Sequence, residues 1–352
     1  MPHGTRTRKQ GDRGPTLKDV ARAAGVHAST VSRALDPGKM SLVQDETREH
    51  VRRVAERLGY RADVVARSLR RRQTTAVGVV MTDLGNPVFA PVLRGISSRL
   101  EGAGFIDLIT ETQDDHERLR IAIDQLLRRR VDALIVAAAR VGDADVVEAA
   151  RREGTPVVLA VRSLIGSGIP TVAADDVMGG YLAALHLADL GHRAVAELQG
   201  PQDVQPFIDR AIGFERGAAE RGLEVQRPAE CAGDPNPDAG AHLAGLVLDL
   251  GTEAPTAIFA HNDSMAVGAI ATLRAHGLRC PQDVSVLGFN GAPFVEHVDP
   301  PLSTISFPGF QIGDSAAQVA LSLIEDPSAI VGSQTFPTTV VPRSSTAPPR
   351  SD

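Results

Sequence analysis

Thr16-Leu-Lys-Asp-Val-Ala-Arg-Ala-Ala-Gly-Val-His-Ala-Ser-Thr-Val-Ser-Arg-Ala-Leu35 is the stretch on which the reading of this chain turns. Leu17, Val20, Ala21 and Ala24 recur at spacings of three and four, so they share one face of a first helix. Gly25 stands where a chain leaving a helix needs a positive φ. Val26 then plugs a turn, and a second helix is expected to bury Val31, Ala34 and Leu35 while Ala28, Ser29, Ser32 and Arg33 face outward. A helix so short and polar cannot bury itself alone, but it fits the major groove of DNA. A plain helical hairpin is the competing reading.

Working outward, a third helix is expected from Asp45 to Leu58, with Val51, Val54, Ala55 and Leu58 on its apolar face and Gly59 ending it. Three such helices share one small core. The next segment, Tyr60 to Thr74, carries Arg67, Arg70, Arg71 and Arg72 around a stripe of Val65, Ala66 and Leu69. It reads either as a solvated linker or as a hinge helix, capped by Asp63, that wedges an apolar side chain into the minor groove.

Charge separates the chain into two parts. Residues 1–72 carry 17 basic and 8 acidic side chains, and the rest carry 20 and 35, within a total of −6. A net of +9 against −15 fits a DNA-binding head on an acidic body. The 352 residues, 43% hydrophobic, suffice for more than one core. Two cysteines, Cys231 and Cys280, and an N-terminus without an apolar leader point to free thiols in a cytoplasmic, nucleoid-associated protein without a membrane span.

From Thr74 onward apolar runs alternate with amphipathic helices, the rhythm of a parallel sheet. Strands are expected at 76–82, 105–110, 133–137 and 157–161, with helices at 87–103, 114–128 and 143–152. After Asp175 the rhythm resumes, with helices at 177–190, 208–221, 239–249 and 264–276 and strands at 194–198, 257–260 and 285–289. The fold class is therefore α/β: an all-α helix-turn-helix head plus two doubly wound parallel-sheet lobes. A ligand cleft is expected at the C-terminal ends of their strands.

The head resembles the lactose/purine repressor family of bacterial transcription regulators, whose heads read T-L-x-D-V-A-x-x-A-G-V-S-x-x-T-V-S-R-x-L. Thr47-Arg, Leu58-Gly-Tyr60 and Ala66-Arg-x-Leu69 match as well. In the body the resemblance runs through Asn86-Pro-Val-Phe89, Leu185-His-x-x-x-Leu-Gly-His-Arg193, Arg210-x-x-Gly-Phe214, Ala260-His-Asn-Asp263, Val284 to Phe289 and Pro300 to Ile305. It implies a body like that of type I periplasmic binding proteins, a homodimer on double-stranded operator DNA, and a small-molecule effector between the lobes. A sugar or sugar derivative is the first expectation, with a nucleoside or a phosphorylated metabolite as alternatives.

The resemblance also implies boundaries and site residues. The disordered arm is 1–14, the head 15–61, the hinge helix 62–73 and the bilobed body 74–343. Within the body, lobe 1 takes 74–173 and 306–330, including a helix at 309–324. Lobe 2 takes 174–305 and 331–343, its last strand at 335–341, before a disordered tail at 344–352. DNA contacts are assigned to Thr16, Leu17, His27, Ala28, Ser29, Thr30, Ser32, Arg33, Tyr60, Ala66, Arg67 and Leu69. Effector contacts are assigned to Asn86, Phe89, Arg162, Arg210, Asn262, Phe289, Asn290 and Phe307. Asp263 is expected to cap the helix that follows it.

Four departures from the family pattern carry expectations. His27 replaces Ser at the helix cap, which is expected to weaken the second helix by about 1 kcal/mol. Ala62-Asp63 replaces Pro-Asn before the hinge. Val161 stands where an Asp commonly ends the fourth strand, and Asn290-Gly291 where Asp-Asp commonly follows Gly-Phe, so a less acidic, more apolar pocket is expected. A transporter's solute-binding protein and an enzyme are the competing classes. His186, His192 and His261 accompany no nucleophile–base spacing, phosphate loop or metal-ligand cluster, so no catalytic residue, cofactor or metal is assigned.

Overall fold

The computed structural model describes residues 15–35, 42–60, 73–228, 230, 232–250 and 255–350. Contacts divide the chain into two units, Met1–Thr74 and Thr75–Asp352. Among the described residues no helix is long and apolar enough to cross a membrane.

The first unit holds α1 (Leu17–Ala24), α2 (Ala28–Ala34) and α3 (Asp45–Arg57). Asp19 reaches back to accept from the Thr16 amide at 2.9 Å and its hydroxyl at 2.6 Å, which fixes the start of α1. Gly25 ends it at φ 66°, a conformation that strains any residue with a Cβ. Val20, Ala21, Ala24, Val31, Ala34, Val51, Val54 and Ala55 form the core, with Leu17, Val26, Ala28, Leu35 and Tyr60 packed against it. Four expectations change here. Ala28 and Ser32 are half-buried rather than outward, Leu35 is only half-buried, and Leu58, which follows the last residue of α3, is 39% exposed. His27 does cap α2: its Nδ1 accepts from the Ser29 amide at 3.3 Å and lies 2.8 Å from the Ser29 hydroxyl. An imidazole nitrogen thus does the work expected of a serine oxygen.

The second unit contains two six-stranded sheets. Lobe 1 uses β1 (Ala76–Met81), β2 (Ile106–Glu111), β3 (Ala133–Val136), β4 (Val157–Ala160) and β5 (Thr171–Ala174), with α4 (Phe89–Gly102), α5 (His116–Arg128) and α6 (Ala144–Arg152) between them. Lobe 2 uses α7 (Asp176–Asp189), β6 (Ala194–Leu198), α8 (Gln205–Arg221), β7 (Glu224–Gln226), α9 (Pro237–Leu248), β8 (Ala257–Ala260), α10 (Asp263–Ala275), β9 (Ser285–Asn290) and β10 (Ser303–Ser306). The chain then returns to lobe 1 as α11 (Gly309–Glu325) and β11 (Gln334–Phe336), and ends in lobe 2 with β12 (Val340–Val341). The sheet orders are β11-β5-β4-β3-β1-β2 and β12-β10-β9-β8-β6-β7.

Both sheets are covered on two faces, which is why β1, Ala-Val-Gly-Val-Val-Met, is apolar throughout rather than alternating. Val77, Val79 and Met81 pack under α4 and α11, while Ala76 and Val80 pack under α5 and α6. In lobe 2 one core lies beneath α9 and α10 and the other beneath α7 and α8.

The expected single strand at 335–341 is two. Gln334–Phe336 pairs parallel with β5 in lobe 1, and Val340–Val341 pairs antiparallel with β10 in lobe 2. Pro337 lies between them and has no amide to extend a ladder, so the chain changes lobes there rather than near residue 331. The short strands β5, β7 and β10 were not expected from the sequence pattern.

The expected disordered tail is also ordered through residue 350. Ser345 is fully buried, its hydroxyl donating to the Val286 carbonyl at 2.6 Å and accepting from the Ser303 amide at 2.7 Å. The Val286 amide donates to the Ser345 carbonyl at 2.8 Å, and His192 Nε2 donates to the Ala347 carbonyl at 3.0 Å. A Ser- and Pro-rich composition looked unstructured, but the starts of β9 and β10 satisfy its polar groups. His186, 3.0 Å from the Thr346 hydroxyl, joins the same clamp, so both histidines have structural work.

Candidate functional sites

The head offers one polar face. Ser29 and Arg33 are exposed on α2, Thr30 and Ser32 are half-buried beside them, and His27 is exposed at its cap. Thr16 is exposed at the start of α1, and Leu17 is half-buried behind it. Tyr60 is half-buried, with its ring packed against the core of the head. Ala66, Arg67, Leu69 and the expected hinge helix lie outside the described residues, as do the expected N-terminal arm at 1–14 and Cys231.

In the body a cavity of about 360 Å³ lies between the lobes at the C-terminal ends of the strands. From lobe 1 it is lined by Thr82, Asp83, Asn86, Val88 and Phe89 beyond β1, Gln113 and Asp114 beyond β2, and Val161 and Arg162 beyond β4. From lobe 2 come Val204, Pro206, Phe207 and Arg210 at the start of α8, Asp234 to Asn236 beyond β7, and Asn262 and Asn290 beyond β8 and in β9. Phe307 closes it where the chain recrosses the lobes. Volume and lining suit a small metabolite.

Arg210 is the best-held group. Its Nε donates to Asp176 at 2.8 Å, Nη1 to the His261 carbonyl at 2.5 Å, and Nη2 to Asn290 Oδ1 at 3.3 Å. The guanidinium lies 3.7 Å above the centroid of Phe289 and 5.1 Å from that of Phe207. Both ion-pair side chains are only 5% exposed. A Cβ at Gly180 would sit 2.1 Å from the Arg210 carbonyl, so α7 and α8 approach this closely only because that residue is glycine. Burial pushes the Asp176 carboxyl up to about 6, and the attraction of Arg210 offsets only part of that cost.

Arg162 is likewise taken up. Its Nη1 and Nη2 donate to the two oxygens of Asp114 at 2.5 and 3.2 Å. Val161 beside it has φ 67°, and Asn290 across the cleft has φ 111°. A left-handed β-branched residue is strained, and strain of this kind gathers where a site must hold its shape.

Behind the wall lies a buried polar chain. The Gly200 amide donates to His261 Nδ1 at 3.3 Å, so the ring proton sits on Nε2 and donates to Glu197 at 2.9 Å. Arg227 and Gln199 donate to the other Glu197 oxygen at 2.6 and 3.0 Å. Burial lowers the affinity of His261 for a second proton. Burial opposes the Glu197 charge, but His261 and Arg227 outweigh it and hold the carboxyl below its usual range. The ring stacks parallel to Phe207 at 6.2 Å, so the network supports the cavity wall.

Seven of the eight expected effector residues line the cavity, and Phe289 does not. It is fully buried and serves as the platform beneath Arg210. Asn262, not Asp263, caps α10: its Oδ1 accepts from the Met265 amide at 2.7 Å while Nδ2 donates to the Pro235 carbonyl at 2.9 Å. Asp263 instead accepts from the Ala292 amide and the Thr304 hydroxyl, at 2.7 and 2.6 Å. The lining is also more acidic than expected, because Asp83, Asp114 and Asp234 enter from loops outside the family pattern. The Asn236-Pro237 pair, an N-cap followed by proline, marked one such loop, and Pro206 marked the earlier start of α8 that brings in Phe207. Among the described residues no cluster of acidic, histidine or cysteine side chains is arranged to hold a metal. Cys280 is a half-buried free thiol that burial pushes up to about 12.

Residues 16–63 match bacterial regulatory proteins of the lacI family, and residues 184–346 match the periplasmic binding protein-like domain. The chain is 29% identical to the HTH-type transcriptional repressor CytR of Escherichia coli (strain K12), over 96% of this chain and 98% of that one. It is 30% identical to the HTH-type transcriptional repressor PurR of Vibrio atlanticus (strain LGP32), over 88% and 92%. Among solved structures it resembles the lac repressor dimer bound to operator and the anti-inducer ONPF, with a TM-score of 0.84, 28% identity, and 95% and 100% of the chains covered. It also resembles the complex of the transcriptional regulator CelR with cellobiose, with a TM-score of 0.69, 28% identity, and 94% and 99% covered.

Proposed function

Because this chain belongs to the lacI family of bacterial regulatory proteins, a family of DNA-binding repressors, we propose that its operator affinity is set by an uncharged, hydroxyl-bearing metabolite held between its lobes. One observation carries the ligand class: both arginines of the cavity are already paired, Arg162 with Asp114 and Arg210 with Asp176. Asp83 and Asp234 add negative charge at its rim. A phosphate entering here meets carboxylates rather than free cations, and desolvating it goes uncompensated. Three of the five Arg210 N–H groups are used, which leaves donors for hydroxyl or carbonyl oxygens. Phe89, Phe207 and Phe307 supply flat apolar surface for a sugar face or a base. This favours a sugar or nucleoside over the phosphorylated alternative.

On DNA, Ser29 and Arg33 read the major groove while Thr16, His27, Thr30 and Ser32 set the register on phosphates. Half-buried Ala28 offers a thymine methyl at most an edge. Ala66, Arg67 and Leu69 act in the minor groove in this reading. The protein works as a homodimer in the cytoplasm, where the chromosome is. The edge strand β2, whose Ile106 and Ile109 are 59% and 45% exposed on its two opposite sides, is the edge we assign to the second copy.

Thermal unfolding with D-ribose, cellobiose and uridine beside their phosphorylated counterparts tests the ligand class. At about 100 times Kd a ligand adds about 2.7 kcal/mol, so a neutral member is expected to raise Tm by about 5 °C. A panel in which only phosphorylated members raise it overturns the reading.

A further inference from the structure

The loop after β3 reaches across the cleft mouth to the loop after β6. Arg140 Nε and Nη2 donate to the two carboxylate oxygens of Asp203 at 2.8 and 2.6 Å, and the Val141 amide donates to the Asp203 carbonyl at 2.9 Å. Arg140 Nη1 also donates to the carbonyl of Asp114 at 2.9 Å, the residue whose carboxylate grips Arg162 inside the cavity. The Arg140 amide donates to Asp143 at 2.7 Å, and Asp143 in turn pairs with His116 of α5, which anchors the loop to its own lobe. Neither Arg140 nor Asp203 lines the cavity.

We infer that Arg140 and Asp203 are positioning residues of the effector site, forming a latch that holds the lobes closed and sets effector affinity without touching the ligand. Three bonds crossing the mouth at one point act as a unit, because opening the lobes breaks all of them together. The two side chains are 28% and 53% exposed, so water and salt screen the pair. That makes the latch weak enough to open and strong enough to bias the closed state. Through the Asp114 carbonyl the same arginine steadies the Arg162 pair, so opening the mouth and loosening the pocket are one event. What closure does to affinity rests on the effector reading; the latch itself needs no ligand to be tested.

Residue-resolved hydrogen exchange on the full chain reads it directly, since the Val141 amide is bonded across the lobes. Asp203→Ala leaves lobe 1 unchanged in sequence, yet is expected to speed exchange at Val141 by about tenfold while Val147, buried within α6, keeps its rate. The charge swap R140D with D203R is expected to recover Val141 protection to within about threefold of wild type, short of full recovery because the bond to Asp114 is lost. Raising salt to about 1 M is expected to speed Val141 exchange in wild type and leave D203A unaffected. Unchanged Val141 exchange in D203A overturns the latch. Equal acceleration at Val141 and Val147 also overturns it, because the variant then loosens the lobe as a whole. For any panel sugar or nucleoside that binds, D203A is expected to raise Kd about tenfold with Arg210 intact.

Discussion

Arg210→Ala is expected to abolish the effector response and to destabilise the body by about 3–5 kcal/mol, because it strands Asp176 as an unpaired buried charge. The two losses are separable. Arg210→Met combined with Asp176→Asn removes both charges, so it is expected to recover most of the stability and none of the response. A response restored along with stability would place the ligand-binding role elsewhere. The pH dependence has a defined sign. Asp176 rises from an ordinary 3.8 to about 6 on folding, so the folded protein holds this proton more tightly than the unfolded chain. The resulting stabilisation is complete below about pH 4 and is lost as pH rises to about 6, a difference of about 3 kcal/mol. Without Arg210 the carboxyl rises further, so the cost of Arg210→Ala is expected to be larger at pH 8 than at pH 5. Denaturant midpoints of both variants across that range provide the check.

Arg33→Ala is expected to cost about 1–3 kcal/mol in operator affinity, and to do so by relaxing preference at one base position in each half-site. Arg33 is exposed in the last turn of α2, while the core residues of that helix, Val31 and Ala34, face away from it. The substitution therefore tests recognition rather than folding. Fluorescence anisotropy against single-base operator variants distinguishes the outcomes. A uniform loss across sequences, with the salt slope reduced by about one, would make Arg33 a phosphate contact instead.

The head and the alternation of strand and helix were legible because helical spacing and buried apolar runs write themselves into consecutive residues. Ala76 to Met81 and Ala194 to Leu198 are examples, and the latter has the expected boundaries. What stayed hidden depended on partners distant in sequence. The tail around Ser345 is ordered by β9 and β10, and its own composition does not show that. The split at Pro337 was visible as a proline, but which lobe each half joins is set by β5 and β10. Within the cavity, family-like residues were readable, whereas Asp114 enters through a loop without a pattern and Asp234 through one whose only mark is the Asn236-Pro237 helix start beyond it. Phe289 illustrates the limit of motif reading: a residue beside the ligand-facing group is a platform and not a contact. His27 shows the same for local rules, since a side chain ranked as a poor cap supplies the required acceptor.

The central claim is that a metabolite in the cleft governs recognition of a twofold-symmetric DNA site. Selection of fragments from a random-sequence pool by the full chain, at fixed salt and with or without a small-molecule cell extract, tests it most directly. A pseudo-palindromic site is expected in at least one arm, with enrichment changing about tenfold or more between the arms. No symmetric site in either arm, or a site whose enrichment ignores the extract, would contradict it.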